Sequence, residues 1–345
     1  MRRPLAPDSP GTRSGSAPRP HAPAARACPR YRPTGAHRWR PPALGPAVLP
    51  GGRRSSLRAA CVYCSRRFIF GTITPFLNRT GACFVLVFHS EFSAGQDPYL
   101  AFAIEEWLCR EAGAGRLPGP IVHLWRHERA FVLGLRDSRL PRAAEAMERM
   151  EREEGWRVMV RNSGGAAVPL DPGVVNVTLI RPSEPGRIDL HADFRAMAEL
   201  LAETLAPFGV SFDIGEIAGA YCPGDFDLSI GGRKFCGMAQ RRQTHAHAVQ
   251  AFINAEGDSL ARAAVVREFY RLARGEAEAP LDVRPSTMGS LAELNPSFPG
   301  ADAWLQSLIR TFGTPQPLPP GGLEASAAVA ASFRNRYDPR YSRRG

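Results

Sequence analysis

Lysine is almost missing from this chain. Of its 44 basic residues only Lys234 is lysine, and the other 43 are arginine. A coding bias towards G and C accounts for the arginine excess, because a solvated lysine is exchanged for arginine at little cost. It gives no reason for one position to have stayed lysine. Arginine keeps its proton and presents a wide planar fork, whereas lysine is a compact point charge with an adjustable pKa. Chance survival is the bland reading of position 234, and a chemical need for an ammonium is the functional one.

Acidic residues are scarce in one region. Residues 1–80 hold 15 Arg, no Lys and a single acid, Asp8. Residues 81–345 carry 29 basic against 32 acidic residues, a net charge of −3. The formal charge of +11 and the pI near 9.9 at first suggest a nucleic-acid partner. That charge belongs to the N-terminal segment, so no nucleic acid is expected for the folded body. Long apolar runs are lacking as well. The longest near the start, Ala82 to Phe88, is far too short to cross a bilayer, and no membrane association is expected. The seven cysteines are odd in number and follow no secretory signal, which excludes a disulfide framework. A soluble protein of a reducing compartment, the cytoplasm, is expected. Cys61 and Cys64 have no second pair with which to hold zinc, and no metal site is expected.

Residues 1–80 are rich in Pro, Ala, Arg, Gly and Ser without apolar periodicity, a composition expected to be disordered. A flexible tail, an organellar transit peptide and a miscalled start codon all fit. The prolines oppose the amphipathic helix of a transit peptide. The next methionine is Met147, inside the fold, so a start near Val85 requires a non-ATG codon. The miscalled start is the favoured reading.

Order is expected from residue 84 to 312. Asp97 before Pro98 reads as an N-cap with proline at the first helical position, opening a helix to about Arg110. Strand patterns lie at 121–126 and 130–135, and a helix over 141–154 ends at Gly155. Further strands are expected at 156–160, 174–180 and 249–254, and helices at 193–208, 259–272 and 301–312. Phe226 to Ile230, Gly231-Gly232 and Arg233 to Arg241 predict a hairpin. The Pro/Gly/Ala-rich residues 313–345 are expected to form a flexible C-terminal tail. Together these elements predict an α+β domain with a mixed, largely antiparallel sheet packed by helices.

Two segments carry chemistry. Arg161-Asn162-Ser163-Gly164-Gly165-Ala166-Ala167-Val168 is a strand that ends in a glycine pair and restarts. Paired glycines let backbone N–H groups approach a ligand, although a plain hairpin turn explains them equally well. The second segment runs from Tyr221-Cys222-Pro223-Gly224-Asp225-Phe226-Asp227 through the hairpin to Lys234-Phe235-Cys236-Gly237-Met238-Ala239-Gln240-Arg241-Arg242. Cys222 precedes Pro-Gly and so lies in a turn, where a thiol can be reached. Cys236 alternates within an apolar strand and reads as a core residue. A neighbouring ammonium favours a reactive thiolate, but the two-residue turn pairs Lys234 with Ser229. The Pro-Gly loop must fold back for Cys222 and Lys234 to meet. His245 and His247 lie in a Gln-Thr-His-Ala-His stretch read as an exposed turn rather than a metal site.

Together, RNSGGAAVPLDPGVVNVTLI and CPGDFDLSIGGRKFCGMAQRR resemble the biotin/lipoate ligase and octanoyltransferase superfamily, over about Phe84 to Phe312. VLGLRDSRLP, RNSGG and the Tyr221–Arg242 block are most similar to one branch, the octanoyl-[glycine cleavage system H protein]:protein N-octanoyltransferases, or lipoyl amidotransferases. The resemblance implies a biotin/lipoate ligase-like catalytic domain and an acyl-thioester on Cys222. It implies that Lys234 lowers the Cys222 pKa and helps hold the acyl carbonyl. It places Arg161, Ser163, Gly164 and Gly165 in the wall of the acyl pocket. Backbone N–H groups near Gly165 or Gly237 would add to the stabilisation of the oxyanion. Cys236 and Met238 stand where relatives usually carry small or aliphatic residues, which bears on pocket width.

The implied reaction moves octanoyl (or lipoyl) from the H protein to the lysine of lipoyl domains on 2-oxoacid dehydrogenase E2 subunits. It needs no ATP, metal or cofactor, and a monomer is the default for the branch. Octanoyl-[acyl carrier protein]:protein N-octanoyltransferase, ATP-dependent lipoate-protein ligase and a non-catalytic lipoyl-domain binder are the alternatives. The general acid for the departing amine is not identified by the sequence.

Overall fold

The computed structural model describes residues 85–186, 188–276 and 281–342. The expected disorder of residues 1–80 and the Cys61–Cys64 pair lie outside the described residues. The chain runs through strand β1 (Leu86–Phe92), helix α1 (Tyr99–Gly113), and strands β2 (Ile121–His127) and β3 (Ala130–Leu133). Helix α2 (Ala143–Glu154) leads to β4 (Arg157–Val160), β5 (Val168–Leu170) and β6 (Val174–Pro182). Helix α3 (Leu190–Leu205) precedes β7 (Asp213–Ile214), β8 (Leu228–Ile230), β9 (Arg233–Arg242) and β10 (Ala246–Asn254). Helices α4 (Ser259–Ala273), α5 (Leu291–Leu294), α6 (Ala301–Phe312), α7 (Gly322–Tyr337) and α8 (Pro339–Ser342) follow.

Seven strands form one sheet in the order β1-β2-β6-β10-β9-β8-β7, in which only β1 and β2 run parallel. A smaller sheet has the order β4-β3-β5, with β3 parallel to β4 and antiparallel to β5. This is the expected α+β fold with a mixed, largely antiparallel sheet. Strand periodicity divides the large sheet into two apolar faces. Val122, Leu124, Val175, Val177, Leu179, Val249, Ala251 and Ile253 pack with α3 and α6. Ile121, Trp125, Val174, Ile180, Ala248 and Phe252 pack with α1 and with the small sheet. That second face holds the site described below.

Local signals act where they were expected, with small shifts. Gly155 ends α2 in the left-handed conformation that a Cβ disfavours. Asp97 accepts a hydrogen bond from the Tyr99 amide at 3.1 Å, and the first helical residue is Tyr99 rather than Pro98. Strand β1 carried no expectation beyond the onset of order.

The flexible tail expected from residue 313 is overturned. Helix α7 packs on α1, with Val329, Ala330 and Phe333 buried in the same core. Tyr99 donates its hydroxyl to Asp338 Oδ2 at 3.1 Å, and Arg334 reaches Asp97 at 2.6 Å. The alanines that made this stretch look featureless are the best helix formers. Their small side chains give a weak apolar stripe, so what fixes the helix is a partner more than 200 residues earlier in the chain. Phe333→Ala should destabilise the fold by about 3 kcal/mol in urea unfolding followed by circular dichroism. A change below about 0.5 kcal/mol, the size of an ordinary surface effect, would show that α7 lies outside the cooperative core.

Candidate active site

The small sheet supplies the first wall. Strand β4 ends at Val160, Arg161 donates its amide to Leu133 O, and residues 162–167 loop over to β5. Gly165 has φ +92°, and a Cβ there would lie 2.3 Å from Arg161 Nη2 and 2.9 Å from Cys222 Sγ. Across the loop, a Cβ at Gly134 would come within 2.0 Å of Gly165 O. Only glycine fits at either position. Asp137 braces this wall, accepting from the Gly134 amide and from the Tyr270 hydroxyl, each at 2.9 Å. Tyr270 Oη in turn accepts from the Ala167 amide at 3.3 Å. Burial raises the Asp137 carboxyl above its ordinary range, while its bonds to Gly134 and Tyr270 oppose the shift.

The loop before the hairpin supplies the second wall. Ser229 pairs with Lys234, the register the Gly231-Gly232 turn predicts. Lys234 is fully buried. Its Nζ donates to Tyr221 O at 2.9 Å and to Cys222 O at 2.5 Å, and pairs with Asp227 Oδ1 at 2.9 Å. Asp227 Oδ2 accepts from the Gly224 amide at 3.2 Å. The Pro-Gly loop therefore does fold back onto the lysine, as the sequence required. What it presents to the ammonium is carbonyl oxygen, not sulfur. Held this way, Cys222 adopts φ +48°, the only positive φ at a non-glycine among the described residues. Such a conformation costs on the order of 1 kcal/mol and persists only where its surroundings impose it.

The sulfur faces the other wall. Arg161 Nη2 lies 3.3 Å from Cys222 Sγ and donates to Ala166 O at 2.9 Å, and the Ala166 amide lies 3.3 Å from the sulfur. The cation in contact with the thiol is thus Arg161, for which the sequence implied only a place in the pocket wall.

Cys222 and Arg161 border a cavity with Phe102, Trp125, Gly237, Met238, Ala239, Ala251 and Phe252. Gly237 is needed here, since a Cβ would meet the Phe252 ring at 2.5 Å. Gly165 leaves room for the thiol, which a Cβ there would meet at 2.9 Å, whereas Ser163 and Gly164 do not line the cavity. Ser163 is buried, and Gly164 is exposed, where an added Cβ would meet nothing within 4 Å. Met238 borders the cavity and Cys236 is sealed in the opposite core. His247 lies within β10, buried and 3.1 Å from Asp193, not on an exposed turn. No group of three or more His, Cys, Asp or Glu side chains suited to a metal occurs among the described residues.

Sequence reasoning missed two carboxylates of α1. Glu105 lies in the cavity wall and accepts from Trp125 Nε1 at 2.7 Å, from Thr178 Oγ1 at 2.6 Å and from Gln250 Nε2. The signal was present, because Asn176, Thr178 and Gln250 are polar residues at inward positions of otherwise apolar strands. Glu106 joins the two motifs, binding Asn162 Nδ2 at 3.0 Å and Arg241 Nε at 2.9 Å. Burial alone would raise its carboxyl, but Arg241 and Arg110 outweigh that and hold it below the ordinary range.

Desolvation dominates at Asp227, pushing its carboxyl up to about 6 against the pull of Lys234. The Asp227 carboxyl is therefore ionised above about pH 6 and takes a proton as pH falls through that value, which removes its charge from the pair. Asp227→Ala, measured at pH 7.5, leaves a buried ammonium without its counter-charge. It should cost about 3–5 kcal/mol in urea unfolding. A loss below about 1 kcal/mol, the range of a surface pair, would mean that the two carbonyls suffice for Lys234.

The Lipoyl protein ligase A/B catalytic domain family model matches residues 97–313. An octanoyl-[GcvH]:protein N-octanoyltransferase of Geobacillus kaustophilus is 44% identical over 226 residues, covering 65% of this chain and 79% of that protein. A lipoyl-[GcvH]:protein N-lipoyltransferase of Listeria monocytogenes is 37% identical over 202 residues, covering 57% of this chain and 72% of that protein. Among solved structures, lipoate-protein ligase A bound with ATP superposes with a TM-score of 0.59 at 19% identity. The superposition covers 75% of this chain and 99% of that one, a likeness of fold alone. The strands, the two motif loops and the matched span agree, and the chain belongs to the lipoyl protein ligase A/B catalytic domain family.

Proposed function

We infer that this chain is an octanoyl-[H protein]:protein N-octanoyltransferase of lipoate metabolism, working through a thioester on Cys222. The observation that carries this is a single thiol bordering a largely apolar cavity, held in a left-handed turn beside a guanidinium and a backbone N–H. Relatives named for transfer from GcvH support the H protein as donor. The acceptor is the lysine of a lipoyl domain on a 2-oxoacid dehydrogenase E2 subunit. The three described cysteines are free thiols, which supports a reducing, cytoplasmic setting. Among the described residues no helix is long and apolar enough to cross a membrane.

In the first step the Cys222 sulfur bonds to the acyl carbon and the amide C–N bond breaks. The sulfur attacks as thiolate, and the donor lysine leaves as an amine that takes its proton by way of solvent. In the second step an acceptor lysine amine attacks the thioester, the C–S bond breaks with its electron pair on sulfur, and the amine's proton passes to solvent, restoring the thiolate. One amide exchanges for another, so neither ATP nor a redox partner enters the balance. Lys234 and Asp227 hold the nucleophile's loop in place throughout.

Intact mass spectrometry of the full chain with octanoyl-H protein, without ATP, should show an octanoyl adduct labile to hydroxylamine. Cys222→Ser should show none. Loading from octanoyl-[acyl carrier protein] alone would reassign the donor, and activity that required ATP and survived Cys222→Ser would make the chain a ligase. Transfer should also fall as pH drops through about 6, where Asp227 takes a proton and releases Lys234. Asp227→Asn should be about a hundredfold slower, the scale of a misplaced reactive group, and should lack that acid limb in its pH–rate profile.

A further inference from the structure

The two cations of the site have different tasks. The Lys234 ammonium donates to Tyr221 O and Cys222 O and pairs with the Asp227 carboxylate at 2.9 Å, so its described polar contacts are all with oxygen. Arg161 is as buried as Cys222, each 5% exposed. Its Nη2 spans Ala166 O and Cys222 Sγ, and its Nε is buried with no hydrogen-bond partner among the described residues. The Ala166 amide completes a two-donor cradle around the sulfur. That cradle exists because Gly165 has no Cβ, which would displace the guanidinium. A buried guanidinium and a convergent N–H are the groups that receive an anion in a low-dielectric site.

We propose that Arg161 is a catalytic residue: with the Ala166 N–H it holds the Cys222 thiolate, while Lys234 and Asp227 are positioning residues that fix the loop. This deepens the acyl-transfer reading and rests on the same thiol. A guanidinium does not lose its proton in proteins, so protonation of Asp227 leaves the positive charge of the cradle in place.

Iodoacetamide forms an S–CH2 bond with thiolate and releases iodide, so its rate reports thiolate without any acyl donor. Alkylation of the Cys222 peptide in the full chain is followed by mass spectrometry across pH, which separates it from the other thiols. For Arg161→Gln the profile should move to higher pH by about one unit or more, with alkylation at neutral pH about tenfold slower. Arg161→Lys, which keeps the charge and guards against a folding defect, should restore most of the rate. Lys234→Gln should move the profile less than Arg161→Gln does. A profile of Arg161→Gln that superimposes on wild type, or a larger shift in Lys234→Gln, overturns the proposal. If wild type forms no acyl adduct yet the Arg161→Gln shift is found, the functional reading fails and the thiolate cradle stands.

Discussion

A lysine sealed in the interior holds this site together. Its ammonium reaches two successive carbonyls of the 221–222 backbone and one carboxylate five residues on, so three points of a single loop converge on one charge. The loop cannot relax, and Cys222 stays in a backbone conformation that an L-residue avoids. Burying such a pair is costly, which is why the Asp227 carboxyl rises in spite of its partner. The return is geometric: the sulfur points away from the lysine and across to the other wall.

That other wall is organised by contacts too close for a side chain. Gly134 and Gly165 on that wall, and Gly237 on β9 of the large sheet, each stand where a Cβ would collide with backbone, guanidinium or ring. Glu106 ties the walls together through Asn162 on one and Arg241 on the other. Helix α1 thus packs the core through one set of residues and links both motif loops through another. Helix α7 presses on it from outside. Stability and site geometry are coupled through this helix.

The fold class, most elements and the β8–β9 register were legible in the sequence, because period-two and period-3.6 patterns and glycine turns are local signals. So was the singular character of Lys234, from composition alone, and of Cys222, from its place before Pro-Gly. Helix α7 was not legible: an alanine-rich stripe shows no direction until a partner surface exists. Glu105 and Glu106 were hidden too, since a carboxylate in a helix reads as solvent-facing unless donors from distant strands enclose it.

The sequence by itself determined that one thiol and one ammonium belong to the same hairpin neighbourhood, and that the basic charge lies outside the folded body. Only the tertiary structure decided which atoms meet. The Lys234 ammonium takes the carbonyls and Arg161 takes the sulfur. Spacing along a chain fixes which residues are near. Direction depends on the φ of Cys222 and on a loop 61 residues earlier. Long-range packing, not local pattern, sets both.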